Sequence, residues 1–298
     1  MFRLSDLVID EALIRVLLRG QRPDLADRRL RRVRSGWNNQ MWRVGEDLAV
    51  RLPRTARAAA LIEQEHRWLS ELAPHLPIPV PVPIHLGSRT DRFPEPWIVT
   101  TWVEGEPGDL RPIAEGPRST DRLVAFLQAL HTEAPDDAPF NRGRSAPLAE
   151  FADFFARLLQ VLPDADAVAR ARRVWEEALA AAPWTGAPVW IHADLHPSNV
   201  VVVDGTLAGV IDFGDMCAGD PATDLAAAWA LLPASHAQRC IAAYGRSDED
   251  LIRRARGWAL LRGLASIEAG IAAELGKPWG MPTWKQAGEA ALDRLLTA

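Results

Sequence analysis

Between His192 and Asp215 the chain reads HADLHPSNVVVVDGTLAGVIDFGD, and this stretch limits the fold more than any other. An apolar run, Val200 to Val203, is followed by Asp204-Gly205 and then by a second apolar run ending at Ile211. Asp-Gly between β-branched segments predicts a tight hairpin, because a type I′ turn needs positive φ at both central residues. A hairpin whose arms start and end together brings Asn199 and Asp212 side by side. Such a pair of oxygen donors suits Mg²⁺, with substrate phosphates and water completing the octahedron. Asp194 lies just upstream on an irregular segment held by Pro197.

The order His192-Ala193-Asp194, Asn199, then Asp212-Phe213-Gly214 meets the phosphoryl-transfer template H-x-D-x-x-x-x-N followed by D-F-G. On that template Asp194 orients the attacking hydroxyl and accepts its proton. Asn199 and Asp212 hold the metal that neutralises charge on the β- and γ-phosphates. Ala193 stands where protein kinases carry arginine, and no A-P-E element follows, which argues against a protein kinase. HADLHPSN, IDFGD and GDPATDLA together resemble the aminoglycoside phosphotransferase family, small-molecule relatives of protein kinases.

The resemblance implies an α+β, bilobal, protein-kinase-like fold, with a small antiparallel-sheet N-lobe and a larger, mainly helical C-lobe. It also implies ATP or GTP as phosphate donor, Mg²⁺ as cofactor and a small-molecule hydroxyl as acceptor. The acceptor would be an aminoglycoside-type antibiotic or related compound, or an endogenous metabolite such as a sugar, amino alcohol or homoserine. His192 would pack beneath the catalytic loop, and Asp220 and Asp224 would cap the next helix and brace that loop. His196 receives no role.

The N-terminal third fits this scheme. A helix is expected over residues 5–20, with Gly20 as its stop. Short strands follow at Leu30–Ser35, Met41–Val44 and Leu48–Leu52, joined by tight turns as an antiparallel meander. The first turn, with Ser35 and Gly36, takes the place of a kinase nucleotide loop but lacks G-x-G-x-x-G. On the third strand Arg51 stands where such kinases carry a phosphate-pairing lysine. The only lysines of the chain are Lys277 and Lys285, so a cation in this region must be arginine. Arginine stays charged and can fork onto phosphate, so the role can persist with altered geometry. A helix from Ala56 to Leu72 carries Glu63 and Glu65. The family pairs a helix glutamate with the strand cation, and the spacing to Leu76-Pro77-Ile78-Pro79 favours Glu65.

Two further strands, Ile84–Gly87 and Trp97–Trp102, lead into TTWVEGEPGD, which resembles the linker between kinase lobes. Backbone groups near Thr101 and Val103 would meet the adenine edge there. The cluster Gly105, Pro107 and Gly108 places the domain boundary near Val103. Residues 1–103 form the nucleotide-binding domain, and residues 104–298 hold the catalytic loop, metal site and acceptor pocket. Helices are expected from Ser119 or Thr120 to His131, over 148–161 and 164–182, and from Pro221, Ala234, Asp248 and Thr283. Tryptophans of the C-terminal region are expected mostly in the core. Trp279 and Trp284 flank a Gly-Met-Pro loop and are candidate acceptor-pocket walls. Asp215, Glu268 and Glu274 are candidate carboxylates for a cationic acceptor.

Composition narrows the remaining classes. A charged fraction of 24% beside 48% apolar residues is that of a globular protein. The net charge of −5 gives no general attraction to nucleic acid or anionic membrane. Two cysteines, Cys217 and Cys240, make neither a disulfide framework nor a zinc site by themselves. Acidic residues interrupt the first segment and no apolar run has transmembrane length, so a cytoplasmic monomer or homodimer is expected. Two competing readings remain. His192-x-Asp194-x-His196 on one strand face would ligate the metal of a hydrolase. Arg51 and the glycine-poor turn would instead suit a catalytically silent nucleotide-binding module.

Overall fold

The computed structural model of the chain describes residues 8–33, 38–245 and 248–297. Ser35 and Gly36, proposed for the nucleotide turn, lie outside the described residues. Two compact units divide the chain: Met1–Val103 with Ile211–Gly214, and Glu104–Val210 with Asp215–Ala298.

The first unit is a five-stranded antiparallel sheet with two helices. Helix α1 spans Glu11–Gln21, because Asp10 caps it by accepting the Leu13 N–H at 2.9 Å, and residues 5–7 of the helix expected over 5–20 lie outside the described residues. Gly20 therefore lies inside the helix. Strands β1 (Leu30–Val33), β2 (Asn39–Val44) and β3 (Leu48–Pro53) form the expected meander. Helix α2 (Ala56–Leu72) follows, capped by Thr55, and then come β4 (Pro83–Gly87) and β5 (Trp97–Thr101). The sheet order is β1-β2-β3-β5-β4.

Strand alternation sorts the central strand. Leu48, Val50 and Leu52 join Ile14, Leu17 and Leu18 of α1 in one apolar cluster with Trp42 and Trp97. The intervening residues, Arg51 among them, are turned to the other side of the sheet, where Arg51 meets Glu65 of α2. Gly87 is required opposite Trp97, since a Cβ there would lie 1.9 Å from the indole ring.

The second unit is mainly helical. Strand β6 (Glu106–Pro107) is followed by α3 (Gly116–Leu130), whose cap is Glu115, not Ser119 or Thr120. Those two residues are buried inside the helix, and the Ser119 hydroxyl accepts the Leu207 N–H at 3.0 Å. Leu123, Phe126, Leu127 and Leu130 form its buried face. A short helix not anticipated in the sequence, α4 (Arg142–Ser145), starts from the Asn141 cap. The expected helix over 148–161 is instead α5 (Ala152–Leu158) between two 3₁₀ turns, and α6 (Ala165–Ala180) begins from Asp164.

Strand β7 (Val189–Ile191) enters the His192–Asn199 loop, β8 (Val200–Val203) and β9 (Thr206–Val210) form the hairpin that follows, and β10 (Cys217–Gly219) pairs back with β7. Helices α7 (Ala222–Leu225), α8 (Ala227–Leu231), α9 (Ala234–Tyr244), α10 (Glu249–Glu274) and α11 (Trp284–Leu296) complete the unit. Trp175, Trp190, Trp229 and Trp258 are buried, as their size favours. Among the described residues no helix is long and apolar enough to cross a membrane.

Candidate functional site

In the second unit the chain leaves β7 at Ile191 and turns at once. Ala193 is held at φ 70 and fully buried, a left-handed conformation costly for a residue with a Cβ. Asp224 fixes this turn by accepting the backbone N–H groups of His192 at 2.6 Å and Ala193 at 2.8 Å. Arg262 of α10 donates to the Ala193 carbonyl at 2.5 Å. His192 is fully buried, and its Nδ1 accepts the Asp194 N–H at 3.2 Å. Because the turn breaks strand alternation, His192, Asp194 and His196 do not share one strand face, which removes the geometric basis of the hydrolase reading. Among the described residues no three His, Cys, Asp or Glu side chains gather as a metal site.

The Asp194 carboxylate meets three side chains directly. Arg144 of α4 lies 2.8 Å from Oδ1, His196 lies 3.5 Å from Oδ2, and the Asn199 amide nitrogen is 3.3 Å from Oδ2. Burial alone would push this carboxyl up, but Arg144, His196 and Arg262 hold it well below the usual carboxylate range. Asn199 also donates to the Asp194 backbone carbonyl at 3.0 Å. Its amide nitrogen is thereby committed to Asp194, and its Oδ1 is left as the oxygen donor. His196 Nδ1 accepts the Ser198 N–H at the start of a 3₁₀ turn, Pro197–Asn199, that leads into β8.

The predicted hairpin turn is present: Asp204 has φ 48 and Gly205 φ 73, and Val200 pairs with Val210. Asp224 itself is buried beside His131, 3.4 Å away, which in turn bonds the Tyr244 hydroxyl at 2.7 Å. Burial would raise the Asp224 carboxyl, but His131, with His192 and Arg262, keeps it lowered. His131 is thus a buried helix-end residue.

In the first unit the Arg51 guanidinium hydrogen-bonds the Glu65 carboxylate, and both groups are buried. Burial works against the Arg51 charge, but Glu65 and Asp212 more than restore it. Burial also pushes the Glu65 carboxyl up, with Arg51 pulling the other way. Asp212 sits at φ 64, its carboxylate 3.9 Å from Arg51 and its side chain 56% exposed. A half-exposed carboxylate and an uncommitted amide oxygen are the hard donors a divalent cation of the Mg²⁺ type takes, so each residue suits that role. Thr101 at the end of β5 bonds the chain at Val82 through both its N–H and its hydroxyl, and Val103 is buried.

The acceptor-pocket candidates separate into two groups. Asp215 receives Asn141 Nδ2 at 2.9 Å and Arg144 at 3.4 Å, so Arg144 links it to Asp194. Trp284 donates to the Ser198 hydroxyl at 2.8 Å and sets its ring edge-on against His196. Trp284 thus packs against the His192–Asn199 loop, and Asp215 is tied to that loop through Arg144. Glu268 is instead paired with Arg157, Glu274 with Lys285 at 2.9 Å, and Trp279 is half-exposed. Arg144 and Arg262 meet this site without having been singled out in the sequence, whereas His196, named there only as a possible hydrolase ligand, lies against Asp194. For Arg144 no local signal existed, since its partners lie far along the chain. Cys217 and Cys240 are buried, and burial pushes both thiols up to about 12, so neither offers a nucleophile.

The model of the phosphotransferase enzyme family matches residues 29–264. An Escherichia coli aminoglycoside 3′-phosphotransferase is 28% identical over 197 residues, covering 62% of this chain and 68% of its own. A second from Escherichia coli is 29% identical over 216 residues, covering 69% and 77%. Among solved structures, the GDP complex of an aminoglycoside 2′-phosphotransferase superposes with a TM-score of 0.68 over 97% of this chain and 99% of its own, at 18% identity. A macrolide 2′-phosphotransferase from Brachybacterium faecium gives a TM-score of 0.60 over 95% and 98%, at 24% identity. The architecture is accordingly the α+β, protein-kinase-like one.

Proposed function

Because the chain belongs to the phosphotransferase enzyme family, we propose that it transfers the γ-phosphate of a Mg²⁺-bound nucleoside triphosphate to a hydroxyl of a small molecule. The observation that carries this reading is the Asp194 site: a carboxylate on a strained loop, anchored by Asp224 and kept ionised by surrounding cations.

A carboxylate held so low is a weak base but a constant hydrogen-bond acceptor. It suits orienting the acceptor hydroxyl and taking its proton late, as a loose phosphoryl-transfer transition state requires. The acceptor oxygen forms a bond to the γ-phosphorus while the β–γ bridging bond breaks and the nucleoside diphosphate leaves. The hydroxyl proton passes to Asp194 and then to solvent. The motif assigns the metal to Asn199 and Asp212, and the ion would neutralise charge on the phosphates. Arg51, steadied by Glu65, pairs the phosphates as a fixed fork. Val103, Thr101, Ser35 and Gly36 remain the proposed contacts of the nucleotide. A GDP complex among the structural neighbours supports a nucleotide donor.

Names of the relatives point to aminoglycosides and macrolides as the first acceptors to try. One observation favours an endogenous metabolite instead: Asp215, Glu268 and Glu274 are each already paired with a cation of the chain.

The test is nucleotide turnover by the purified protein with Mg²⁺ across such a panel. Asp194→Ala should lower kcat by about 10²–10⁴-fold with nucleotide affinity largely kept. Asp212→Ala should weaken Mg²⁺–nucleotide binding as well. Equal loss of nucleotide affinity in the two variants would refute these separate roles.

A further inference from the structure

We propose that Arg144 is the acceptor-recognition residue of this site, and that the acceptor carries an oxyanion, carboxylate or phosphate, beside the hydroxyl that is phosphorylated. The inference rests on the reading of Asp194 as the group that receives the acceptor hydroxyl.

The Arg144 guanidinium forks across two carboxylates, Asp194 at 2.8 Å and Asp215 at 3.4 Å, with its side chain about one third exposed at 32%. Its support is built in. Asn141 caps the short helix that carries Arg144 and also holds Asp215, and the Ser145 hydroxyl bonds back to the Asn141 carbonyl. A second guanidinium, Arg262, is close enough to interact with both Arg144 and Asp194, and its buried Nη1 has no hydrogen-bond partner. Its charge is weakened by burial and by the nearness of Arg144. Two cations therefore converge on the carboxylate that must receive the acceptor.

Each of the oxygens of Asp194 already faces a partner: Arg144 at Oδ1, His196 and Asn199 at Oδ2. An acceptor hydroxyl needs one of them. An oxyanion next to that hydroxyl supplies the exchange, because it pairs with Arg144 while Oδ1 turns to the hydroxyl. The guanidinium keeps an anionic partner throughout, and its planar fork matches carboxylate and phosphate alike. A polycation offers no such exchange. It would meet Arg144 and Arg262 as like charges, and the acidic residues that would welcome it are paired elsewhere.

The experiment is calorimetric binding to the full chain with Mg²⁺ and nucleoside diphosphate, using four probes: glycerate, glycerol 3-phosphate, glycerol and kanamycin. The first two separate a carboxylate from a phosphate as the recognised group, glycerol is the neutral counterpart, and kanamycin is the polycation. At least one oxyanion probe should bind about tenfold or more tightly than glycerol and kanamycin. Arg144→Gln should weaken that binding by about tenfold or more, and Arg144→Lys, which keeps the charge, should retain part of it. Tighter binding of kanamycin, failure of both oxyanions to bind the wild type, or equal affinity in wild type and Arg144→Gln would each overturn the proposal. Nucleotide binding measured on the wild type tests the underlying reading separately, and its absence would overturn both.

Discussion

Asp224 shows how one buried carboxylate can set the geometry of another. It makes no contact that chemistry at Asp194 would need, yet its two oxygens take the N–H groups of His192 and Ala193, and this holds Ala193 at positive φ. An amide at this position has a single acceptor oxygen, and its NH₂ would face a backbone donor. Asp224→Asn should therefore cost about 1–3 kcal/mol in urea denaturation, the range for a buried donor left unsatisfied. It should also lower kcat by releasing the loop. An unchanged urea midpoint with full turnover would refute the bracing role. The resemblance of GDPATDLA to the family implies one shared task, cap and brace, for Asp220 and Asp224. The structure divides the work: Asp220 receives the Ala222 N–H at 2.9 Å and the Arg254 guanidinium at 2.6 Å, while Asp224 braces the loop. Asp194, Asn199 and Asp212 are legible as candidates because their spacing is local. Arg144 could not, since its tie to Asp194 spans fifty positions of chain and leaves no periodic trace.

At the scale of elements, legibility followed the range of the physical cause. The hairpin β8–β9 was readable because Asp204-Gly205 states its own backbone requirement, and both residues do take positive φ. Gly205→Ala would force a Cβ into φ 73 and bring it to 3.3 Å from the Ala114 Cβ. We expect a loss of about 1–2 kcal/mol in thermal or urea unfolding, the penalty for a left-handed residue with a Cβ. A neutral outcome would mean that the turn relaxes to another type. The α3 boundary differs from the expected one for the opposite reason. Ser119 and Thr120 precede an apolar periodicity, as caps do, but a tertiary contact at Leu207 uses the Ser119 hydroxyl and leaves the cap to Glu115. Likewise α1 starts at Glu11 because the Asp10 side chain satisfies a first-turn donor, the Leu13 N–H. The helix over 148–161 breaks into 3₁₀ and α segments that no single hydrophobic period could signal.

For the molecule as a whole, two carboxylates of the second unit, the fully buried Asp224 and the mostly covered Asp194, contribute to the response to acid. Asp194 and Asp224 are both held below the usual carboxylate range, by Arg144, His196 and Arg262 for one and chiefly by His131 for the other. A depressed folded pKa means that the unfolded state takes up protons first as pH falls. The stabilisation from each group is therefore complete above the ordinary carboxylate pKa of about 4 and declines below it, until the folded pKa is passed. Within that window each group contributes a slope of about 1.4 kcal/mol per pH unit. Urea unfolding at several pH values between neutrality and about 3 should show a steep acid limb in the wild type. Asp194→Asn removes one titrating group, so its limb should be shallower by about that slope even though its stability at neutral pH is also lowered. Parallel limbs for wild type and variant would show that Asp194 is not held ionised by its cationic neighbours. That result would remove the electrostatic basis for the proposed role of Asp194 as a permanent acceptor of the substrate hydroxyl.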